Sequence, residues 1–262
     1  MSRHKDLFQA IARLELDEIP YAIASVFQVN GSSSGKVGDK AIFDSNGKRI
    51  IGYIGGGCIE NRVASTAKES LKDDKPKTIE IDLDSDEMGM GIPCGGYMSV
   101  IVEPQMLNKT ILIRGMGSFT EILCEMASLL KFKVVVQTSK EEKDRYPNAS
   151  EVITENLEIE DIEFSVDYFI LATHHRDDDR VSLEALKKGI PYVGVVASAK
   201  KTGIILKYLR SNGVKEKELD HFFSPTGLDL NAKTPEQIAL SILSEIIMLE
   251  NGGSGSSKKN NI

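Results

Sequence analysis

After Pro104 the sequence settles into an alternation of β-branched apolar runs and amphipathic stretches. Few folds accept that rhythm. The spacing predicts strands at 110–113, 133–137, 167–173 and 192–196. It predicts helices at 119–130, 181–188, 200–212 and 234–250. Strands separated by helices of this length pair in parallel and bury both faces, which is a doubly wound sheet. The first strand runs into Gly115-Met116-Gly117 and then into a helix. That context is the one a dinucleotide-binding turn requires.

The residues before Pro104 follow a different pattern. A helix is expected at 6–16, with Leu7, Ile11 and Leu14 at helical spacing. Strands are expected at 21–29, 40–43, 49–53, 78–83 and 97–103, and a helix at 58–71. Residues 30–35 and 87–96 read as loops, and Asn46-Gly47 as a hairpin turn. The chain therefore reads as α/β throughout: an N-terminal α/β domain over 1–105, then a Rossmann-like doubly wound parallel sheet over 108–250. The Gly, Ser, Lys and Asn of 251–262 read as a disordered tail.

Composition narrows the function. A net charge of -7 argues against nucleic acid as a partner. No run of about eighteen apolar residues occurs, so no membrane span is expected. The opening residues mix charged with apolar side chains and read as no secretory signal, which places the protein in the cytoplasm. The three cysteines, Cys58, Cys94 and Cys124, are odd in number and form no CxxC pair. That fits a reducing compartment and disfavours structural zinc.

Several motifs carry chemistry. Gly115 and Gly117 would let the backbone approach a phosphate at the helix start, with Ser118 following. Thr120 stands at the third glycine position, and the next strand ends in Gln137 rather than a carboxylate. Lys140 beyond it could meet a 2′-phosphate. The bland alternative is a Rossmann domain without a dinucleotide. Gly55-Gly56-Gly57-Cys58-Ile59-Glu60 feeds a helix whose dipole would favour a thiolate at Cys58, with Glu60 as an acid–base partner. Its bland alternative is a tight turn with a small buried thiol. Cys94, framed by Pro93, Gly95 and Gly96, is a soft ligand for a metal or an acceptor of sulfur. Residues 30–38 resemble a P-loop but fail its spacing at Asn30 and Val37. His174 and His175 follow a strand, where one could reach a ligand, and the Asp177–Asp179 run reads as a solvated helix start.

Taken in order, these blocks resemble the XdhC/CoxI family of xanthine dehydrogenase accessory proteins. The resemblance is carried by Gly55-Gly56-Gly57-Cys58-Ile59-Glu60, by Cys94-Gly95-Gly96, and by Pro225-Thr226-Gly227-Leu228-Asp229 through Thr234-Pro235-Glu236-Gln237-Ile238-Ala239. It implies a maturation factor, a chaperone that binds molybdenum cofactor in its molybdopterin or dinucleotide form. Such a factor protects the cofactor, supports its sulfuration and inserts it into a xanthine or carbon monoxide dehydrogenase. The implied partners are the apoenzyme of a molybdenum hydroxylase, a cysteine desulfurase and further copies of the chain. Cys94 would contact molybdenum or sulfur. Cys58 with Gly55, Gly56 and Gly57 would hold the pterin, and the crevice at Gly115, Gly117 and His174 the nucleotide portion. The alternative is an NADP-dependent oxidoreductase built on Gly115, Gly117 and Lys140.

Overall fold

A computed structural model describes residues 3–31, 33–82, 96–173 and 177–261. It divides into two compact units, Met1–Leu107 and Asn108–Ile262.

In the first unit, five antiparallel strands lie in the order β3-β2-β1-β5-β4. They are β1 (Tyr21–Gly31), β2 (Lys40–Asp44), β3 (Arg49–Gly52), β4 (Lys77–Asp82) and β5 (Gly96–Gln105). Alternation along β1 separates its two faces, as the pleat demands. Ala22, Ala24 and Val26 join Phe43, Met98 and Val100 under Ile59, Val63 and Ala67 of α2 (Gly57–Asp73). Tyr21, on the other face, packs with Ile42 against Leu7 and Leu14 of α1 (Arg3–Leu16).

Two expectations change here. Residues 30 and 31 belong to β1, not to a loop, because Asn30 and Gly31 pair with Tyr97 and Gly96 of β5. The Asn46-Gly47 connection is longer than a two-residue hairpin. The Asp44 Oδ1 accepts from the backbone of both Asn46 and Lys48 and so closes a wider turn. Cys94, Gly95 and most of the loop expected at 87–96 lie outside the described residues.

In the second unit, six parallel strands follow the order β11-β10-β9-β6-β7-β8. They are β6 (Thr110–Gly115), β7 (Lys133–Gln137), β8 (Glu151–Ile153), β9 (Tyr168–Ala172), β10 (Tyr192–Val195) and β11 (Phe222–Phe223). The order reverses between β6 and β9, so a crevice opens at their carboxyl ends. Leu112, Phe169 and Val193 face α4 (Asp178–Lys187) and α5 (Ala199–Ser211). Ile111, Ile113 and Ile170 face α3 (Gly117–Leu129) and α7 (Pro235–Glu250). Both faces are covered, which is why these strands read as unbroken apolar runs.

β8, β11 and the four-residue α6 (Glu216–Leu219) escape the sequence pattern because they are too short to show a period. Residues 251–259 are exposed, and a 3₁₀ turn runs over Lys258–Asn261. No helix among the described residues is long and apolar enough to cross a membrane.

Candidate functional site

The Gly55-Gly56-Gly57 turn joins β3 to α2. Gly55 has a φ of 143°, and a Cβ there would stand 2.5 Å from Ile59 Cδ1, so this glycine serves packing. Gly56 and Gly57 are exposed, and a Cβ on Gly57 would meet nothing within 4 Å. That leaves open space beside the backbone, next to the half-buried Cys58 in the first turn of α2. The Gly56 amide donates to Ser34 Oγ at 3.0 Å, which ties the 33–35 segment to the turn. The Gly56 amide is thereby engaged within the chain. Glu60 pairs with Arg49 at 3.4 Å, which orients its carboxylate toward β3.

In the second unit a cleft of about 320 Å³ opens where the strand order reverses. Arg114, Gly115, Gln137, Leu157, Thr173 and Asp178 are among the residues on its wall. Gly115 is at closest quarters. A Cβ there would stand 2.4 Å from Thr120 Oγ1 and 2.9 Å from the Ala172 carbonyl oxygen. Gly117 opens α3 with a φ of 77° and free space around it, and Ser118 is exposed beside it. The turn is therefore built as a dinucleotide turn is built.

Its anion seat, however, holds an anion of its own. A 3₁₀ turn at Lys140–Arg145 swings back over α3. The Gly117 amide donates to Glu142 Oε2 at 2.7 Å. The Tyr146 hydroxyl donates to the same oxygen at 2.7 Å, and Arg145 stands 3.3 Å from Oε1. The Tyr146 bond, then the Gly117 amide, hold the Glu142 carboxyl below the usual carboxylate range. Tyr146 is buried, and burial together with Glu142 pushes its hydroxyl up to about 12. Lys140 pairs with Glu155 at 2.5 Å on the exposed surface. As these residues stand, a dinucleotide pyrophosphate and Glu142 compete for one amide.

Deeper in the cleft, the Arg114 Nε donates to Gln137 Oε1 at 2.8 Å, and its Nη2 donates to the Leu157 carbonyl. The bond to Gln137 fixes the orientation of the amide and leaves Gln137 Nε2 as a donor. Gln137 is 1% exposed, and Nε2 has no partner among the described residues. Asp178, in the stretch expected to be solvated, is instead 3% exposed. It accepts from the Thr173 hydroxyl and pairs with Lys201, and these two contacts account for its burial. His174 and His175 lie outside the described residues.

The XdhC Rossmann domain family matches residues 111–246, and the XdhC and CoxI family matches residues 16–82. The chain belongs to the XdhC/CoxI family. A protein called uncharacterized protein YqeB, from Escherichia coli, is 26% identical over 95% of this chain. The chain spans 47% of that relative's length. A Bacillus subtilis protein described as a probable xanthine dehydrogenase component is 24% identical over 88% of this chain and 93% of its own. A crystal structure described as a xanthine dehydrogenase from Bacillus halodurans covers 98% of both chains, with a TM-score of 0.50 and 23% identity, and shares the fold.

The Pro225–Asp229 block, which carries part of the resemblance of this XdhC/CoxI chain, precedes α7. Glu245 of α7 accepts from the Gly227 amide at 2.9 Å and from the Tyr192 hydroxyl at 2.6 Å. The block is thus pinned from below by a buried network. Sequence reading passes over Glu142, Tyr146 and Arg114. Glu142 sits in a charged run, Lys140-Glu141-Glu142-Lys143-Asp144-Arg145, that has no apolar period to mark it.

Proposed function

We propose that this chain is an accessory factor in the maturation of a xanthine-dehydrogenase-type molybdenum hydroxylase. It takes molybdenum cofactor as cargo, shields it, supports its sulfuration and hands it to the apoenzyme. Sulfur comes, in this reading, from a cysteine desulfurase, and the factor works in the cytoplasm as a homo-oligomer. The observation that carries the reading is Cys58 in the first turn of α2, beside an exposed Gly56-Gly57 backbone, on a chain that matches both XdhC families. A cysteine sulfur beside exposed backbone at a helix start suits a soft metal centre with an anionic pterin. Cys94, Gly95 and Gly96 complete the assignment from the sequence, with Cys94 as the molybdenum or sulfur contact. A role as an NADP-dependent oxidoreductase has less support, because Glu142 already takes the Gly117 amide at the phosphate seat.

The test is retention of cargo. The full-length protein is mixed with a molybdopterin extract, and retained molybdenum and pterin are measured by elemental analysis and by fluorescence after oxidation. Cys58→Ser is expected to lower retention roughly tenfold, about 1.4 kcal/mol of binding. Unchanged retention and unchanged activation of the hydroxylase in both Cys58→Ser and Cys94→Ser would remove the thiols from the function.

A further inference from the structure

One face of the parallel sheet carries, side by side, the segment 157–166, then α4, then α5. Ile159, Ile162 and Val166 of the segment share a buried cluster with Val181 and Leu186 of α4 and with Ile205 and Leu209 of α5. The segment runs along α4. Glu158 pairs with Arg180 near the start of that helix, and Lys188 at its end donates to the Glu160 and Ile162 carbonyls. The outer surface of this face is divided by charge. Glu160, Asp161 and Glu163 are exposed on one side, Lys200 and Lys207 on the other, and Lys187 between them. None of these six side chains has a hydrogen-bond or ion-pair partner among the described residues. Glu158, Arg180, Lys201 and Arg210 around them are all paired.

Two features of α5 point to a neighbour. Ile204 is 59% exposed between the two free lysines. Gly203 stands beside it in the interior of the helix, where glycine is unfavourable. A Cβ at Gly203 would meet nothing within 4 Å, so no contact within the chain asks for a glycine there. Lys200, Gly203, Ile204 and Lys207 fall at helical spacing on one exposed stripe. Its bare backbone and exposed isoleucine admit another element at close range.

We propose that this face joins two copies of the chain, with α5 of each lying against the acidic segment of the other. A two-fold axis along α4, in the plane of contact, exchanges the two sides. The acidic side of one copy then meets the basic side of its partner, and the same patch serves both copies. Each cluster of carboxylates gains the lysines that it lacks within its own chain. Lys187 of both copies comes near the axis, and its charge is offset because free cations and free carboxylates are equal in number on this face. The 13 residues of α5 make the face about 20 Å long. Three packed elements make it about 30 Å wide, so each copy covers about 600 Å². That is the low end for a specific interface, and it implies a reversible, salt-sensitive dimer rather than an obligate one. The dimer deepens the proposed function, in which the chain works as a homo-oligomer. Its test involves no cargo, so either can fail alone.

The test is sedimentation of the full chain over a range of concentrations, at about 50 mM and about 500 mM salt, between which the screening length falls about threefold. A reversible dimer is expected, with its dissociation constant raised about tenfold at the higher salt. Lys200→Glu with Lys207→Glu is expected to raise the constant about a hundredfold at low salt, and so is Glu160→Lys with Asp161→Lys. Mixed in equal amounts, the two reversed proteins should pair with each other, because each supplies the charge that the other now needs at both contacts. Gly203→Gln leaves every charge in place and fills the bare backbone, and should weaken the dimer about tenfold. Circular dichroism and the thermal midpoint verify the fold of each variant. If a reversed protein does not fold, the salt response and Gly203→Gln decide, and an affinity unmoved by both would overturn the proposal. A wild type that stays monomeric at low salt would overturn it too. So would a dimer that keeps its affinity in both reversed proteins, or reversed proteins that fail to pair when mixed. A monomeric chain in which the α5 reversal instead abolishes binding to the hydroxylase apoenzyme would give the face to that partner and overturn the dimer.

Discussion

Replacing Glu245 with Ala is expected to lower the unfolding free energy of the C-terminal unit by about 2–3 kcal/mol, the cost of stranding buried partners of a charged acceptor. Glu245 Oε2 gathers the Tyr192 hydroxyl at 2.6 Å and the Gly227 amide at 2.9 Å. Tyr192 is 2% exposed and also meets Thr226 Oγ1 at 2.5 Å. Without the carboxylate, Gly227 loses the acceptor that holds it at a φ of 106°, where a Cβ would strike Ser241 Oγ. The loop from Ser224 to Leu230 therefore loosens along with the tyrosine. Glu245→Gln keeps an acceptor and should lose less. Urea denaturation of the full chain measures both.

The same network sets a pH dependence. Burial, and then Glu245, raise the Tyr192 hydroxyl well above its ordinary value. The folded state keeps this proton where the unfolded chain has released it. Above about pH 10 the unfolded chain binds fewer protons, so stability falls as pH rises, by up to about 1.4 kcal/mol per pH unit for this group. Below that pH both states hold the proton and the contribution is complete. Cys124, raised to about 11 by burial and then by Glu125, adds to the loss in the same direction. In Glu245→Ala one cause of the Tyr192 shift is gone. The loss should therefore level off at a lower pH in the variant than in the wild type, where the folded hydroxyl begins to release its proton, although the variant starts lower. Losses that level off at the same pH in the two proteins would show that Glu245 does not govern the hydroxyl.

The parallel sheet was legible because each of its long strands is buried on both faces. Residues 110–113 and 133–137 had to be apolar runs, and the helices between them had to be amphipathic. The glycine turn was legible for a similar reason, since Gly115 has no room for a Cβ and Gly117 needs a positive φ. What the turn holds was not legible. Glu142 lies 25 residues beyond Gly117, in a run of six charged residues. Nothing in that run distinguishes the carboxylate that folds inward from those that face water. Asp178 was misread for the same reason. Its neighbours are charged, and only the Thr173 and Lys201 contacts make it a buried residue. The cysteine turn shows the reverse case. Gly55, Gly56 and Gly57 look equivalent in the sequence, yet one serves packing against Ile59 and one donates to Ser34.

Gly115→Val and Gly117→Ala separate the two demands that a dinucleotide-type turn makes on its glycines. At Gly115 the conflict is with fixed atoms. The first carbon alone would meet Thr120 Oγ1 at 2.4 Å and the Ala172 carbonyl oxygen at 2.9 Å, and valine adds two more. Thr120 is buried in α3, and Ala172 ends β9, so neither can retreat without shifting its element. We expect a loss of about 3 kcal/mol, at the upper end of overpacking costs. At Gly117 the space is open and only the φ of 77° resists, so alanine should cost about 1–2 kcal/mol. The Gly117 amide survives that change, and Glu142 keeps its seat. Urea midpoints should rank wild type above Gly117→Ala above Gly115→Val. If Gly115→Val were the milder of the two, β9 and α3 would have to be able to part, and the close contact of strand end with helix would not be what fixes the turn. The expected ranking means that the first glycine is required by the fold itself, with or without a ligand. The second glycine is then the position where the backbone is shaped for an anion, whether that anion is Glu142 or a phosphate.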